Sequence, residues 1–219
     1  MSSFGALAHV RYLISKKMGV KRVKTGHAGT LDPLATGVLV LCTGKATKQI
    51  EQMMGSEKEY TATLQLGATT PSYDMEHPVD QTFPTEHITL ELIEAALRQF
   101  EGDIQQVPPA YSACKINGDR AYELKRKGHE VALQAKPIHI EKIELTKFDA
   151  AKMQMSIRVV CGKGTYIRSL ARDIGEALHS GAYLTALCRT RAGQYTIEEA
   201  IDFDKFQQWL DQQEIEQTA

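Results

Sequence analysis

Asp32 stands in the run Gly26-His27-Ala28-Gly29-Thr30-Leu31-Asp32-Pro33-Leu34-Ala35-Thr36-Gly37, clamped between Leu31 and Pro33, and the apolar stretch Val38-Leu39-Val40-Leu41 follows. Pro33 fixes its own φ and pushes the residue before it toward extended backbone. The glycines around it permit turns and close backbone approach. A carboxylate held rigidly on a loop at the mouth of a sheet is a candidate for chemistry, able to attack an electron-deficient carbon or to stabilise a developing cation. An isolated Asp-Pro is more often a turn initiator whose carboxylate caps nearby backbone. The length of this run sets it apart from that case.

A loop carboxylate needs elements on either side to hold it. The spacing predicts a helix capped by Ser3 and reaching about Met18, with Leu7, Val10 and Ile14 near one face and Gly19 as the stop. After the loop, a strand over 38–43 and a short helix from Gly44 to about Met54 are expected. Residues 57–66 alternate as a strand, 67–88 read as loop with broken strand, and 89–101 place Leu92, Ile93, Ala96, Leu97 and Phe100 at helical spacing. A strand over 110–116 and a short basic helix over 119–127 come next. Residues 136–149 and 153–161 read as two long strands joined as a hairpin across Asp149-Ala150-Ala151-Lys152. A helix over 164–179, an extended segment over 182–195 and an acidic helix over 199–216 complete the chain. Strands and helices mixed without regular βαβ alternation indicate an α+β fold. No Pro-, Ser- or Gly-rich linker divides the 219 residues, so one domain is expected.

Composition narrows the classes. No segment approaches the ~20 apolar residues of a membrane span, and residues 1–20 lack the pattern of a signal peptide. Four scattered cysteines, Cys42, Cys114, Cys161 and Cys188, without a Cys-x-x-Cys, argue against zinc and for a reducing cytoplasm. The net charge of −1 hides an asymmetry. Residues 198–219 hold seven acids against Lys205 alone, and residues 1–48 hold eight bases against Asp32 alone. Basic segments with an acidic tail fit a nucleic-acid partner better than the total suggests, although such runs are as often solvated helix faces. Gly44-Lys45-Ala46-Thr47 is not a phosphate loop, because Leu39 stands where that motif requires its first glycine.

Four blocks in order carry a resemblance over nearly the whole chain. They are the Gly26–Gly37 run with Lys58-Glu59-Tyr60 and Gly67 beyond it; Gln106-Val107-Pro108-Pro109-Ala110-Tyr111-Ser112-Ala113-Cys114-Lys115 with Gly118 and Tyr122; Gly162-Lys163-Gly164-Thr165-Tyr166-Ile167-Arg168-Ser169-Leu170; and Leu187-Cys188-Arg189-Thr190-Arg191-Ala192-Gly193. Together they resemble the TruB-type pseudouridine synthases, which convert the T-loop uridine of tRNA, position 55, to pseudouridine. The resemblance implies a bent, mixed, mainly antiparallel sheet flanked by helices, with an RNA-clamping insertion at about 105–136. It departs from the family at both ends. The Lys-Pro-x-Gly-x-Thr-Ser strand that usually precedes the first helix, and the RNA-binding PUA domain that many members append, are expected to be missing here, since the chain begins at Met1-Ser2-Ser3-Phe4 and stops soon after Trp209.

The resemblance also distributes roles. Uridine becomes pseudouridine when C1′–N1 breaks, the base turns and C5 bonds to C1′, with loss of only the C5 proton. The reaction needs no cofactor and no metal. A glycosidase uses a second carboxyl to protonate the leaving group and activate water; one acid in a dry pocket suits a reaction that must keep uracil bound and water out. Asp32 is then the catalytic acid, and both covalent addition to C1′ and help in removing a sugar proton are open to it. Arg168 is implied as the buried cation that pairs with it and keeps it ionised. Tyr60 is implied as a stacking partner for the flipped base and a candidate for proton transfer at C5. Tyr166 and Leu187 are implied to line the pocket, and His27 to fill the space of the flipped base or stack in the opened loop. Lys115, Arg120, Lys125, Arg126 and Lys127 are implied to contact phosphates. Taken singly, each tyrosine is more often packing, Leu187 core, and Arg168 a surface helix residue. The expected partner is the tRNA T-arm stem-loop, with no membrane or metal, and a monomer in the cytoplasm is expected. A catalytically impaired tRNA-binding or folding protein is the alternative, and free uracil among the products would point to a hydrolase.

Overall fold

The computed structural model describes residues 1–112, 114–116, 119–121, 125 and 133–214. In chain order its elements are α1 (Ser3–Lys17), β1 (Thr25–His27), β2 (Thr36–Gly37), β3 (Leu41–Thr43), α2 (Ile50–Gly55), β4 (Lys58–Leu66), β5 (Ala68–Thr69), β6 (Gln81–Thr82), α3 (Leu90–Arg98), β7 (Gly102–Gln106), β8 (Lys115–Ile116), β9 (Asp119–Arg120), β10 (Lys136–Asp149), β11 (Gln154–Cys161), α4 (Ile167–Ala177), β12 (Ala182–Ala192), β13 (Tyr195–Thr196) and α5 (Phe206–Asp211). The fold is α+β with a mainly antiparallel sheet and flanking helices. Two compact units divide the chain, one of residues 1–58 and 189–219, the other of 59–188. No described helix is long and apolar enough to cross a membrane.

The second unit holds the larger core. Its strands run in the order β12-β4-β11-β10-β7. Ala62, Leu64 and Leu66 of β4 alternate inward, as do Met155, Ile157, Val159 and Cys161 of β11. The β10 sequence spaces its apolar residues irregularly, at Ile140, Ile143, Leu145 and Phe148. Two register shifts, between Ile140 and Lys142 and between Leu145 and Lys147, each slip one extra residue into β10. They bring those four residues opposite Cys161, Val159, Ile157 and Met155. Without the bulges, strict alternation would turn half of them to the polar face. Ile93, Ala96 and Leu97 of α3 and Ile167, Leu170, Ala171 and Ile174 of α4 close the same cluster. Gly175 of α4 faces the start of β12 so closely that a Cβ would lie 2.4 Å from the Ala182 nitrogen.

In the first unit α1 buries Leu7, Val10 and Leu13. Its cap is Ser2, whose hydroxyl accepts from the Gly5 amide at 3.1 Å, and not Ser3 as the sequence predicts. Ser3 is the first helical residue, and its side chain is thereby released for a different contact. β1 and β3 pair antiparallel, and β12 from Arg189 onward pairs with β13 and β2. Lys58 caps the end of α2 by donating to the Met54 carbonyl at 2.6 Å and to that of Ser56. The Lys17 ammonium donates to the Leu210 and Gln213 carbonyls at the end of α5.

Several expected elements differ. The run 38–43 is split, because residues 36–37 bond to β12 while 41–43 bond to β1, and the chain changes partner between them. The expected strand over 110–116 is confined to Lys115–Ile116, and residues 119–120, expected to begin a helix, form its hairpin partner. β7 appears directly after α3, where no strand is expected. The acidic helix begins later than 199, because Asp202 accepts from the Asp204 amide at 2.9 Å and sets the first turn at Phe203. Gly118, Tyr122, Arg126 and Lys127 lie outside the described residues.

Candidate active site

The Asp32 loop is fastened from three directions within the first unit. At its near end the Ser3 hydroxyl accepts from the Leu31 amide at 2.8 Å and donates to the Leu31 carbonyl at 3.2 Å. The carboxylate is thus one residue from an anchor on α1. A turn follows, with the Ala35 amide donating to the Asp32 carbonyl at 2.9 Å. Further back along the chain, the Ser15 hydroxyl of α1 accepts from the Val23 amide at 3.0 Å and the Ala28 amide donates to Val40 at 2.9 Å.

The third fastening is Arg189, which is 1% exposed. Its Nε donates to the Val38 carbonyl at 2.8 Å, Nη2 to Gly29 at 3.2 Å and Nη1 to Thr30 at 3.4 Å. Its own carbonyl accepts from the Val38 amide at 2.8 Å. Gly37 has φ +102°, and a Cβ there would lie 2.2 Å from the Arg189 oxygen, so only glycine fits. The loop is therefore closed at its base around one residue, and Asp32 rides between the two arms.

His27 lies on the arm before Asp32. Burial, and after it the Arg189 guanidinium, hold the imidazole below its ordinary range. Its Nδ1 is buried and finds no hydrogen-bond partner among the described residues. A neutral, half-buried ring is suited to stacking rather than to ion pairing.

The other expected site residues stand in the second unit. Tyr60 of β4 and Leu187 of β12 are half-buried and both pack on the core cluster. Arg168, in the first turn of α4, is 4% exposed and donates to the Ser72 carbonyl at 3.2 Å and the Tyr111 carbonyl at 3.0 Å. Its Nε lies 3.7 Å from the Asp74 carboxylate, which in turn accepts from the Ser72 hydroxyl at 2.6 Å and the Glu76 amide at 2.9 Å. Tyr166 caps α4, and its backbone exchanges hydrogen bonds with the Gln106 side chain, at 2.9 Å from the amide and 3.2 Å to the carbonyl. Burial first, and then neighbouring Cys114, push the Tyr166 phenol above its ordinary range, against a hydrogen bond with Ser112. Arg168 and Tyr166 are thus both tied to the stretch from Gln106 to Cys114. The backbone of Lys115 lies in β8.

Sequence reasoning gives no part in the site to Ser3, Asp74, Gln106 or Arg189. Arg189 stands in a quoted motif, but alternation along β12 from buried Ala182 and Leu184 puts residue 189 on the other face. The only signal for Asp74 is a carboxylate in a loop rich in turn residues. Among the described residues, no group of three or more His, Cys, Asp or Glu could hold a metal ion.

Comparison with known proteins bears on this geometry. The model of the TruB family pseudouridylate synthase N-terminal domain matches residues 16–167, and that of the tRNA pseudouridylate synthase B C-terminal domain matches residues 168–219. The chain is 60% identical to tRNA pseudouridine synthase B of Bacteroides thetaiotaomicron over 217 residues, covering 98% of this chain and 90% of the relative. It is 50% identical to the protein of the same name from Flavobacterium johnsoniae, covering 95% and 91%. Among solved structures it is similar to a chain of a Cbf5-Nop10-Gar1 complex, with TM-score 0.66 and 28% identity over 94% of this chain and 52% of that one. The chain spans about half the length of that structural relative. The single-carboxylate loop, the buried arginine at the head of α4 and the two matched domains lead to one conclusion: the chain belongs to the TruB family of pseudouridylate synthases.

Proposed function

We propose that this chain isomerises the T-loop uridine of tRNA, position 55, to pseudouridine. The observation that carries the reading is the Asp32 loop, one carboxylate on a backbone fastened by Ser3 and Arg189, in a chain of this family. The target base is flipped from the folded loop into the pocket. Asp32 acts at C1′ as C1′–N1 breaks, the uracil turns while bound, and C5 bonds to C1′. The C5 proton then leaves and N1 regains one, so the product is an isomer of the substrate. Tyr60 stacks on the base and serves the proton at C5. Arg168 takes the role of the site's cation, as the guanidinium's planar fork of donors suits a carboxylate or phosphate. Tyr166, Leu187 and His27 bind the nucleoside and its loop, and Lys115 contacts phosphate.

The chain acts as a single catalytic domain on a T-arm stem-loop, as a monomer in the cytoplasm. Support comes from the names of the relatives, which act on tRNA, and from the single acid, which suits isomerisation over hydrolysis. The test is tritium release from a T-arm stem-loop labelled at uridine C5. Release by the parent chain, and its loss in Asp32→Asn with RNA binding kept, is the expected result. Release that survives Asp32→Asn, or free uracil among the products, overturns the reading.

A further inference from the structure

We infer that Arg189 is a positioning residue for this reaction: by holding both arms of the loop at its base it sets where the Asp32 carboxylate stands, and so governs the rate of chemistry more than the affinity for RNA. The inference rests on the function proposed above. Three features carry it.

First, the acceptors of the guanidinium among the described residues are main-chain carbonyls, those of Gly29, Thr30 and Val38. Burying a guanidinium without a neutralising carboxylate is costly. A side chain needed only to fill space would be apolar. Second, the three carbonyls lie on both sides of Asp32, two before it and one after. A planar fork of donors can span them at once, whereas the point-like ammonium of lysine cannot. Third, the main chain of residue 189 holds the same loop, through the Val38 amide and the close passage of Gly37. Loop and strand are thus joined on both their side-chain and backbone sides, which is more than stability of a surface turn requires. A carboxylate displaced by about 1 Å from its reacting carbon loses about 10²-fold in rate, while phosphate contacts elsewhere keep the RNA bound.

The experiment uses the full chain and its Arg189→Lys and Arg189→Met variants. It measures single-turnover tritium release, affinity for the same stem-loop, and amide hydrogen exchange. Both variants are expected to lose about 10²-fold in single-turnover rate with affinity unchanged, and to exchange faster at residues 29–38 while α1 stays protected. A rate kept within a few-fold in Arg189→Lys or Arg189→Met overturns the inference. Loss of affinity in parallel with rate overturns it too, since Arg189 is then part of the RNA interface. Exchange that rises throughout the first unit, or failure of both variants to fold, makes Arg189 a stability residue and overturns it as well. If the parent releases no tritium, the proposed function fails instead, and the exchange measurement alone decides whether Arg189 sets the loop.

Discussion

Asp32 has its setting made by side chains distant in sequence, and each can be removed singly. Ser3 gives two hydrogen bonds to Leu31, while the helix it begins is capped by Ser2. Ser3→Ala should therefore cost about 1 kcal/mol in urea denaturation and slow single-turnover chemistry, because the anchor beside Asp32 is gone. Ser2→Ala should cost a similar amount, about 1 kcal/mol for a lost cap, and leave the rate alone. His27 makes a pH prediction. Its pKa in the folded chain lies below the ordinary value of about 6.5, because burial and then Arg189 disfavour the imidazolium. Its contribution to stability is complete above about 6.5 and lost as pH falls through the folded pKa. Urea midpoints should drop from pH 7 to pH 5, and the drop should be smaller in His27→Gln. Of these residues, the sequence exposes Asp32 and His27 through a motif. Arg189 also stands in a motif but its role does not show there, and Ser3 reads only as a helix cap, since a guanidinium that turns inward and a hydroxyl that leaves its own helix are decided by tertiary contacts.

At the level of elements, periodicity finds what alternates cleanly. α1, β4 and the β10–β11 hairpin stand where their patterns put them. β7 escapes because Gly102-Asp103-Ile104-Gln105-Gln106 has one apolar residue and is held by its ladder to β10. The bulges in β10 escape because an irregular apolar spacing does not say where the extra residue goes until β11 is beside it. They also make the hairpin sensitive in a specific way. Ile140→Ala should cost about 2–5 kcal/mol, read from urea denaturation. Deletion of Glu141 removes the first extra residue, so that Ile140, Lys142 and Ile143 pair in plain alternation with Cys161, Val160 and Val159 and every apolar side chain keeps the core face. It should lower the melting temperature less than Ile140→Ala does, because it straightens the strand without emptying the core.

For the whole molecule, charge and chain order matter more than any one contact. Lys16, Lys21, Arg22, Lys45 and Lys48 are exposed in the first unit, which suits the phosphates of an RNA stem. Replacing Lys21 or Arg22 by Gln should reduce the slope of log affinity against log salt by about 1 each and leave the single-turnover rate unchanged. The division of the chain was hidden from composition, because its crossings at 58–59 and 188–189 fall within β4 and beside the middle of β12 rather than in a linker. That division has a consequence during synthesis. The second unit is continuous and can complete itself while the ribosome is still at work, whereas the first is made from the two ends of the chain. Asp32 is among the earliest residues translated, and Arg189, which fastens its loop, emerges on the order of ten seconds later at ordinary elongation speeds. A nascent chain stalled before residue 189 should thus present a protease-resistant second unit and a protease-sensitive Asp32 loop, which is set only once residue 189 has emerged.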